Sequence, residues 1–273
     1  MDRYAVVGHP VAHSLSPRIH AAFAASTGEA LRYDAVEAPL DDFAGTIRGL
    51  FRENLAGCNV TVPFKEAACA VADDVDPPAA RAGAANTLRR EADGRLRAFN
   101  TDGPGLVRDL AGNLEVELAG IRVVMLGAGG AAAGVVEALL GAGVGELVVA
   151  NRTAERAEAL VARFAALGAV NAVPLDAPGT ADLLLNATAA SLGGGRPVLA
   201  PELIRPHTQV YDLMYGAAAR PFLAHCAGLG AAAVHDGLGM LVEQAAEAFA
   251  LWRGRRPATA PVLAELRAAA AVP

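Results

Sequence analysis

The sequence predicts an α/β protein of two domains: an N-terminal α/β domain over residues 1–102 joined by 238–273, and a Rossmann-type dinucleotide-binding domain over 103–237. Three observations carry this reading. Short β-rich runs alternate with amphipathic helical runs, the rhythm of βαβ units and a mostly parallel sheet. A glycine-rich turn follows the most apolar strand near the middle of the chain and opens a helix. Two helical patterns follow the last strand, and the most economical place for them is back on the first domain. A length of 273 residues, with 53% hydrophobic and 19% charged residues, gives enough apolar surface for two packed domains.

In order, the first domain reads as strand 4–8, helix 17–26, strand 32–36, helix 40–53, strand 57–60 and helix 65–72. Ser16 followed by Pro17 suggests an N-cap with proline at the first helical position, and Pro63 stops a strand just before the helix that begins at Lys65. After Asp102-Gly103-Pro104-Gly105 a helical segment runs to about 111. The second domain reads as strand 121–126, helix 131–140, strand 146–150, helix 154–167, and strands 181–186, 209–213 and 231–234. Helices 238–252 and 260–270 complete the chain. Alanine is abundant, but no fixed-period repeat is present.

The net charge of −6 gives no basic footprint for nucleic acid or an anionic membrane surface. The most apolar stretch, 123–136, is short and glycine-rich, so no membrane span is expected. Cys58, Cys69 and Cys226 are too few and too scattered for a disulfide framework or a zinc site. With no signal-peptide layout at the N-terminus, a cytoplasmic protein is expected.

Gly127-Ala128-Gly129-Gly130-Ala131-Ala132 follows the apolar strand in the setting a dinucleotide fingerprint requires. Gly127 permits the tight turn, Gly129 lets a pyrophosphate approach the backbone, and Ala132 lets helix and sheet pack closely. Free N–H groups and the positive dipole end of the helix then face the phosphates. At the end of the next strand an NAD enzyme places an acid for the ribose hydroxyls. This chain has Asn151-Arg152-Thr153 there, with Arg156 a turn beyond. Guanidinium groups suit a 2′-phosphate, so NADP is expected over NAD.

Of 23 basic residues, Lys65 is the only lysine. Wherever a plain positive charge suffices, this sequence uses arginine, which holds its proton near neutral pH; a lysine can exchange one. Asn59, Thr61 and Lys65 fall at the C-terminal end of a strand, where open α/β sheets collect ligands. Pro10 between His9 and His13 forbids the regular helix that would pair them on a metal, so no metal is expected. Cys58 is read as packing.

Several segments together resemble the shikimate dehydrogenase family over nearly the whole chain. They are Val7-Gly8-His9-Pro10-Val11-Ala12-His13-Ser14-Leu15-Ser16-Pro17, Asn59-Val60-Thr61-Val62-Pro63-Phe64-Lys65, Gly83-Ala84-Ala85-Asn86-Thr87, Asn100-Thr101-Asp102-Gly103, Tyr211-Asp212-Leu213-Met214-Tyr215 and Gly237-Leu238-Gly239-Met240-Leu241-Val242-Glu243-Gln244. The resemblance implies NADPH-dependent reduction of 3-dehydroshikimate to shikimate, with Lys65 and Asp102 catalytic. It implies substrate contacts from Ser14, Ser16 and Tyr215, whose hydroxyls suit a carboxylate, and from Asn59, Thr61, Asn86 and Gln244, which suit ring hydroxyls. Cofactor contacts are implied for Gly127 to Ala131, for Asn151, Arg152, Thr153 and Arg156, and for Thr188, Leu213, Gly237 and Met240.

Ser191 and Leu192 stand where the family usually has glycine and methionine, and Arg220 replaces a customary threonine. Ser16, where threonine would hint at quinate, favours shikimate. Two rival readings are a quinate/shikimate dehydrogenase of broader specificity and a non-catalytic NADP-binding relative; retention of both Lys65 and Asp102 argues against the second. The family includes monomers and homodimers. Whether Lys65 transfers the proton itself or stabilises charge while water or Asp102 does so stays open at this level.

Overall fold

The computed structural model describes residues 1–188, 190 and 195–270, so Ser191 and Leu192 lie outside the described residues. The chain forms two compact units, one of residues 1–105 with 241–273 and one of residues 106–240. No helix among the described residues is long and apolar enough to cross a membrane.

The first unit begins with β1 (Asp2–Gly8), α1 (Ser16–Thr27), β2 (Leu31–Glu37), α2 (Phe43–Arg52), β3 (Leu55–Val60) and α3 (Lys65–Val71). It continues with β4 (Asp74–Val75), α4 (Pro77–Ala82), β5 (Thr87–Arg90), β6 (Leu96–Phe99) and the start of α5 (Asp102–Arg108). Its sheet runs β2-β1-β3-β5-β6-β4. Pairing is parallel except where β5 runs antiparallel to both β3 and β6. That hairpin and α4 are additions to the expected order. Gly94, at φ +88°, makes the turn between β5 and β6.

Two helix starts differ from expectation. Ser16 is the first residue of α1 and not its cap; its N–H donates to Ser14 Oγ at 3.2 Å. A serine two residues upstream reaches that amide and so supplies what the cap would have supplied. α2 begins at Phe43 and not near 40, because the Asp42 carboxylate accepts the Gly45 N–H at 3.0 Å and fixes the first turn.

In the second unit α5 passes into a π-helical turn at Asp109–Asn113. Then follow β7 (Arg122–Leu126), α6 (Gly130–Gly141), β8 (Glu146–Asn151), α7 (Ala154–Ala162), β9 (Val170–Pro174), β10 (Leu183–Asn186), β11 (Gln209–Asp212), α8 (Arg220–Gly228) and β12 (Ala233–Asp236). The sheet order is β12-β11-β10-β7-β8-β9, all parallel, with the order reversing between β7 and β10. This is the Rossmann arrangement, and ligands bind outside the carboxyl ends of the strands at such a reversal. Val123, Val124, Met125 and Leu126 are fully buried, as a central parallel strand covered on both faces requires. β9 and α8 were not expected, α7 ends earlier than 167, and β12 lies two residues later than 231–234.

α9 (Leu238–Arg253) and α10 (Ala260–Ala270) follow, and residues from 241 onward belong to the first unit. Trp252 of α9 lies 4.7 Å from the Tyr4 ring and donates to Leu88 O, while Arg253 pairs with Asp2 and Glu29.

Candidate active site

The polar centre of the first unit forms where β3 and β6 end and β5 begins. Asn59 is the register partner of Thr87, and Thr87 that of Phe99, so the sheet itself brings the ends of the three strands together. Beyond β3 the chain is pinned by Thr61 N–H donating to Val7 O and Phe64 N–H donating to Thr61 O. Phe64 stacks on Phe43 with ring centroids 4.6 Å apart, which anchors the first residue of α3. That residue is Lys65.

Lys65 Nζ lies 2.6 Å from Asp102 Oδ2, with side-chain exposures of 15% and 6%. The pair is therefore largely removed from water while the lysine stays reachable. Asp102 opens α5, and its backbone N–H donates to Asn100 Oδ1 at 3.0 Å. Its second oxygen, Oδ1, accepts from Asn86 Nδ2 at 2.9 Å. Asn86 Nδ2 also faces Thr101 Oγ1 at 2.9 Å and Gln244 Oε1 at 3.1 Å. Asn86 Oδ1 accepts the Thr101 N–H at 2.8 Å. Asn59 is held more completely: Nδ2 donates to Asn86 O and Thr87 Oγ1, and Oδ1 accepts from Tyr33 OH at 2.7 Å.

Of the residues singled out in sequence, Lys65, Asp102, Asn86, Gln244 and Asn59 thus form one hydrogen-bonded cluster. Thr61 sits at the same strand end, its γ-methyl filling space that a Cβ at Gly8 would occupy. Ser14 and Ser16 are joined to each other at the start of α1. Burial raises the Tyr33 hydroxyl well above its ordinary pKa, helped by Cys58, and the Ser16 hydroxyl beside it offsets part of the rise. Tyr215 belongs to the second unit, just before the 3-10 turn Gly216–Ala218. Thr87, Asn100 and Thr101 fall inside segments that carry the resemblance, which implies no role for them, and Tyr33 falls outside them all, so only the sheet order reveals it.

In the second unit the expected cofactor residues gather at the carboxyl edge of the sheet. Gly127, at φ +106°, turns the chain out of β7, and a Cβ there would lie 3.0 Å from Ala187 O. Gly129 precedes α6 with open space at its Cβ position, while Ala132 is fully buried against the sheet. Gly130 and Ala131 form the first turn of α6 and Ala128 leads into it. At the end of β8, Asn151 Nδ2 donates to Thr153 O at 2.9 Å, and Arg152 and Arg156 are exposed. Thr188 Oγ1 donates to Asn186 Oδ1 at 2.7 Å, and Asn186 Nδ2 donates to Asp212 Oδ2 at 3.0 Å, tying the ends of β10 and β11. Leu213 N–H donates to Asn186 O; a side chain at Gly237 would strike Leu213 O at 2.4 Å. Met240 N–H donates to Tyr211 OH, and that phenol donates to Asp109 Oδ2 at 2.6 Å.

The turn at Gly127, the open approach at Gly129 and the two arginines at the end of β8 fit a dinucleotide bearing a 2′-phosphate. Arg220, where the family usually has threonine, opens α8 after the 3-10 turn and is exposed.

A Rossmann unit joined to an α/β unit with a shielded lysine–aspartate pair defines a nicotinamide-dependent oxidoreductase class. Residues 6–88 match the family described as the shikimate dehydrogenase substrate binding domain, residues 109–193 shikimate/quinate 5-dehydrogenase, and residues 237–267 the shikimate 5′-dehydrogenase C-terminal domain. Shikimate dehydrogenase (NADP(+)) of Aeromonas salmonicida (strain A449) is 52% identical over 268 residues, 98% of each chain. Among solved structures, shikimate 5-dehydrogenase from Thermus thermophilus, in complex with NADP(H) and shikimate, matches at TM-score 0.85 and 41% identity, over 98% of this chain and 100% of that one. An Ael1 enzyme from Pseudomonas putida matches at TM-score 0.90 and 43% identity, over 97% and 98%. The chain belongs to the shikimate dehydrogenase family.

Proposed function

We propose that this protein catalyses the reversible NADPH-dependent reduction of 3-dehydroshikimate to shikimate, a step of aromatic amino-acid biosynthesis. The observation that carries the reading is the Lys65–Asp102 pair at 2.6 Å, held in a buried amide cluster. Relatives bearing the shikimate dehydrogenase (NADP(+)) name over nearly the whole chain support it. In this reading residues 1–102 with 238–273 bind substrate and residues 103–237 bind NADP.

Bound at the first turn of α6, the reduced nicotinamide cofactor would be the source of hydride for the ring ketone. As the carbonyl oxygen gains charge, the Lys65 ammonium is the donor placed to stabilise it and to deliver the proton that completes the alcohol. Asp102 holds that ammonium in place. In the reverse direction Lys65 takes the hydroxyl proton, and the oxidised cofactor would be the hydride acceptor. Asn59, Thr61, Asn86 and Gln244 read ring hydroxyls, and Ser14, Ser16 and Tyr215 hold the carboxylate. The first turn of α6 holds the pyrophosphate, and Arg152 with Arg156 holds the 2′-phosphate. Asn151, Thr153, Thr188, Leu213, Gly237 and Met240 complete the cofactor contacts. The three free cysteines suit a reducing cytoplasm. As in the family, a monomer or homodimer is the assembly this reading carries.

Steady-state kinetics with shikimate and quinate, each with NADP and NAD, test the reading. Shikimate with NADP should give the highest kcat/KM, by at least about tenfold over either single exchange. Comparable rates with quinate would instead assign the broader quinate/shikimate activity, and no shikimate oxidation would reject the proposal.

A further inference from the structure

Tyr33 lies on β2, away from every segment that carried the family resemblance, yet it begins a continuous run of hydrogen bonds. Its hydroxyl donates to Asn59 Oδ1 at 2.7 Å, Asn59 Nδ2 donates to Thr87 Oγ1 at 3.0 Å, and Thr87 Oγ1 donates to Asn86 Oδ1 at 3.1 Å. Asn86 Nδ2 then donates to Asp102 Oδ1 at 2.9 Å, and Asp102 Oδ2 receives Lys65. Asn59, Thr87, Asn86 and Asp102 are all buried, so water does not substitute for a missing partner.

The direction of this run is dictated by two backbone groups that have no choice of role. Asn86 O can only accept, so the amide nitrogen of Asn59 must face it and Oδ1 must face Tyr33. Thr101 N–H can only donate, so Oδ1 of Asn86 must face it and Nδ2 must face Asp102. Every donor in the chain therefore points from Tyr33 toward the carboxylate, an alignment in which each bond polarises the next. The phenol itself is clamped: the His20 ring stacks on Tyr33 with centroids 4.1 Å apart and planes within 6°.

We propose that Tyr33 is a positioning residue for the dehydrogenase reaction, acting through Asn59, Thr87 and Asn86 to orient the Asp102 carboxylate against Lys65. The inference rests on the assignment of Lys65 and Asp102 as the reacting pair. Without the phenol proton, Asn59 Oδ1 loses its donor, and although backbone partners still fix which way the Asn59 and Asn86 amides face, the polarisation passed through Thr87 and Asn86 to the carboxylate is lost. Asn86 then holds Asp102 less firmly while Lys65 stays paired, so the loss falls on turnover more than on substrate affinity.

The test is kinetics on Tyr33→Phe, Thr87→Val and the double variant in the full-length enzyme, with Asp102→Asn alongside. Tyr33→Phe keeps the ring and its stack on His20, so thermal stability reports separately on folding. The expected result is a fall in kcat of about tenfold for each single variant, with KM for NADP unchanged and KM for shikimate moving much less than kcat. The double variant should lose little more than either single one, because both cut the same chain. A Tyr33→Phe enzyme with wild-type kcat overturns the proposal, as does full multiplication of the two losses. Asp102→Asn separates the two levels. If it leaves kcat intact, the assigned pair is wrong and the proposal falls with it; if it collapses kcat while Tyr33→Phe does not, only the role of Tyr33 falls.

Discussion

Lys65 is the only lysine among 23 basic residues, and it sits where its ammonium meets the Asp102 carboxylate with 15% of its side chain still exposed. An arginine at that position would satisfy Asp102 as an ion pair but would keep its proton through the reaction. Replacing Lys65 by Ala removes both the charge facing the developing alkoxide and the proton source. Turnover should fall by about a thousandfold or more, with shikimate dissociation, measured by fluorescence or calorimetry, changing far less. Lys65→Arg decides between the two roles left open by the sequence: it should bind shikimate and still lose nearly as much turnover as Lys65→Ala, because charge without an exchangeable proton leaves the step incomplete. Retention of most of the turnover by Lys65→Arg would mean that charge stabilisation alone is the contribution. The residue was legible as an oddity of composition joined to a position at a strand end. Tyr33 and Thr87 were not, since each is an ordinary strand residue until the order β2-β1-β3-β5 sets both beside Asn59.

At the scale of elements, the close approach of α5 and α9 at Gly105 and Gln244 sets the site. A Cβ on Gly105 would lie 2.6 Å from Gln244 Cβ and 2.7 Å from its backbone nitrogen. Alanine inside a helix ordinarily favours it by about 1 kcal/mol over glycine. Here the clash is with backbone, which can yield only if the helices separate, so Gly105→Ala should destabilise the protein by about 1–3 kcal/mol. Gln244 Oε1, 3.1 Å from Asn86 Nδ2, would be displaced too. A lower urea midpoint and a raised KM for shikimate are expected, and wild-type values of both would contradict the packing argument. The elements that the sequence revealed are those in which apolar pattern and turn chemistry agree, such as β7 followed by Gly127 and α6. The β5–β6 hairpin was hidden because Arg89, Arg90 and Arg97 interrupt its apolar pattern. In the folded sheet Arg89 and Arg97 lie over the Phe99 ring at 4.9 and 5.2 Å, burying their stems while keeping charge near the surface. The Asp93-Gly94 turn was the signal that could have exposed it.

At the scale of the molecule, the first unit is completed by chain that arrives 135 residues later, between 105 and 241 in number, and the seam is aromatic. His20 of α1 lies among Tyr33, Phe23, Phe249 and Trp252, the last two from α9. Burial pushes its pKa down to about 3, with Asn59 offsetting part of the fall. The amide hydrogens of Asn59 go to Asn86 O and Thr87 Oγ1, however, and neither ring nitrogen of His20 has a hydrogen-bond partner among the described residues. The imidazole is thus neutral in the native protein, whereas in the unfolded chain it titrates near its ordinary value of about 6.5. Between these two values the unfolded state binds a proton that the native state refuses. The contribution of His20 to stability is therefore fully present above about pH 6.5 and is lost as pH falls toward about 3, reaching on the order of 3 kcal/mol by about pH 4. His20→Phe keeps an aromatic ring in an apolar nest and removes the titration. Urea unfolding followed from neutral to acid pH should show the native chain losing stability more steeply than His20→Phe below about pH 6.5. The carboxylates titrate alike in both proteins, so the divergence isolates the buried ring. Parallel curves would show that the seam closed by α9 admits the charged imidazole without cost.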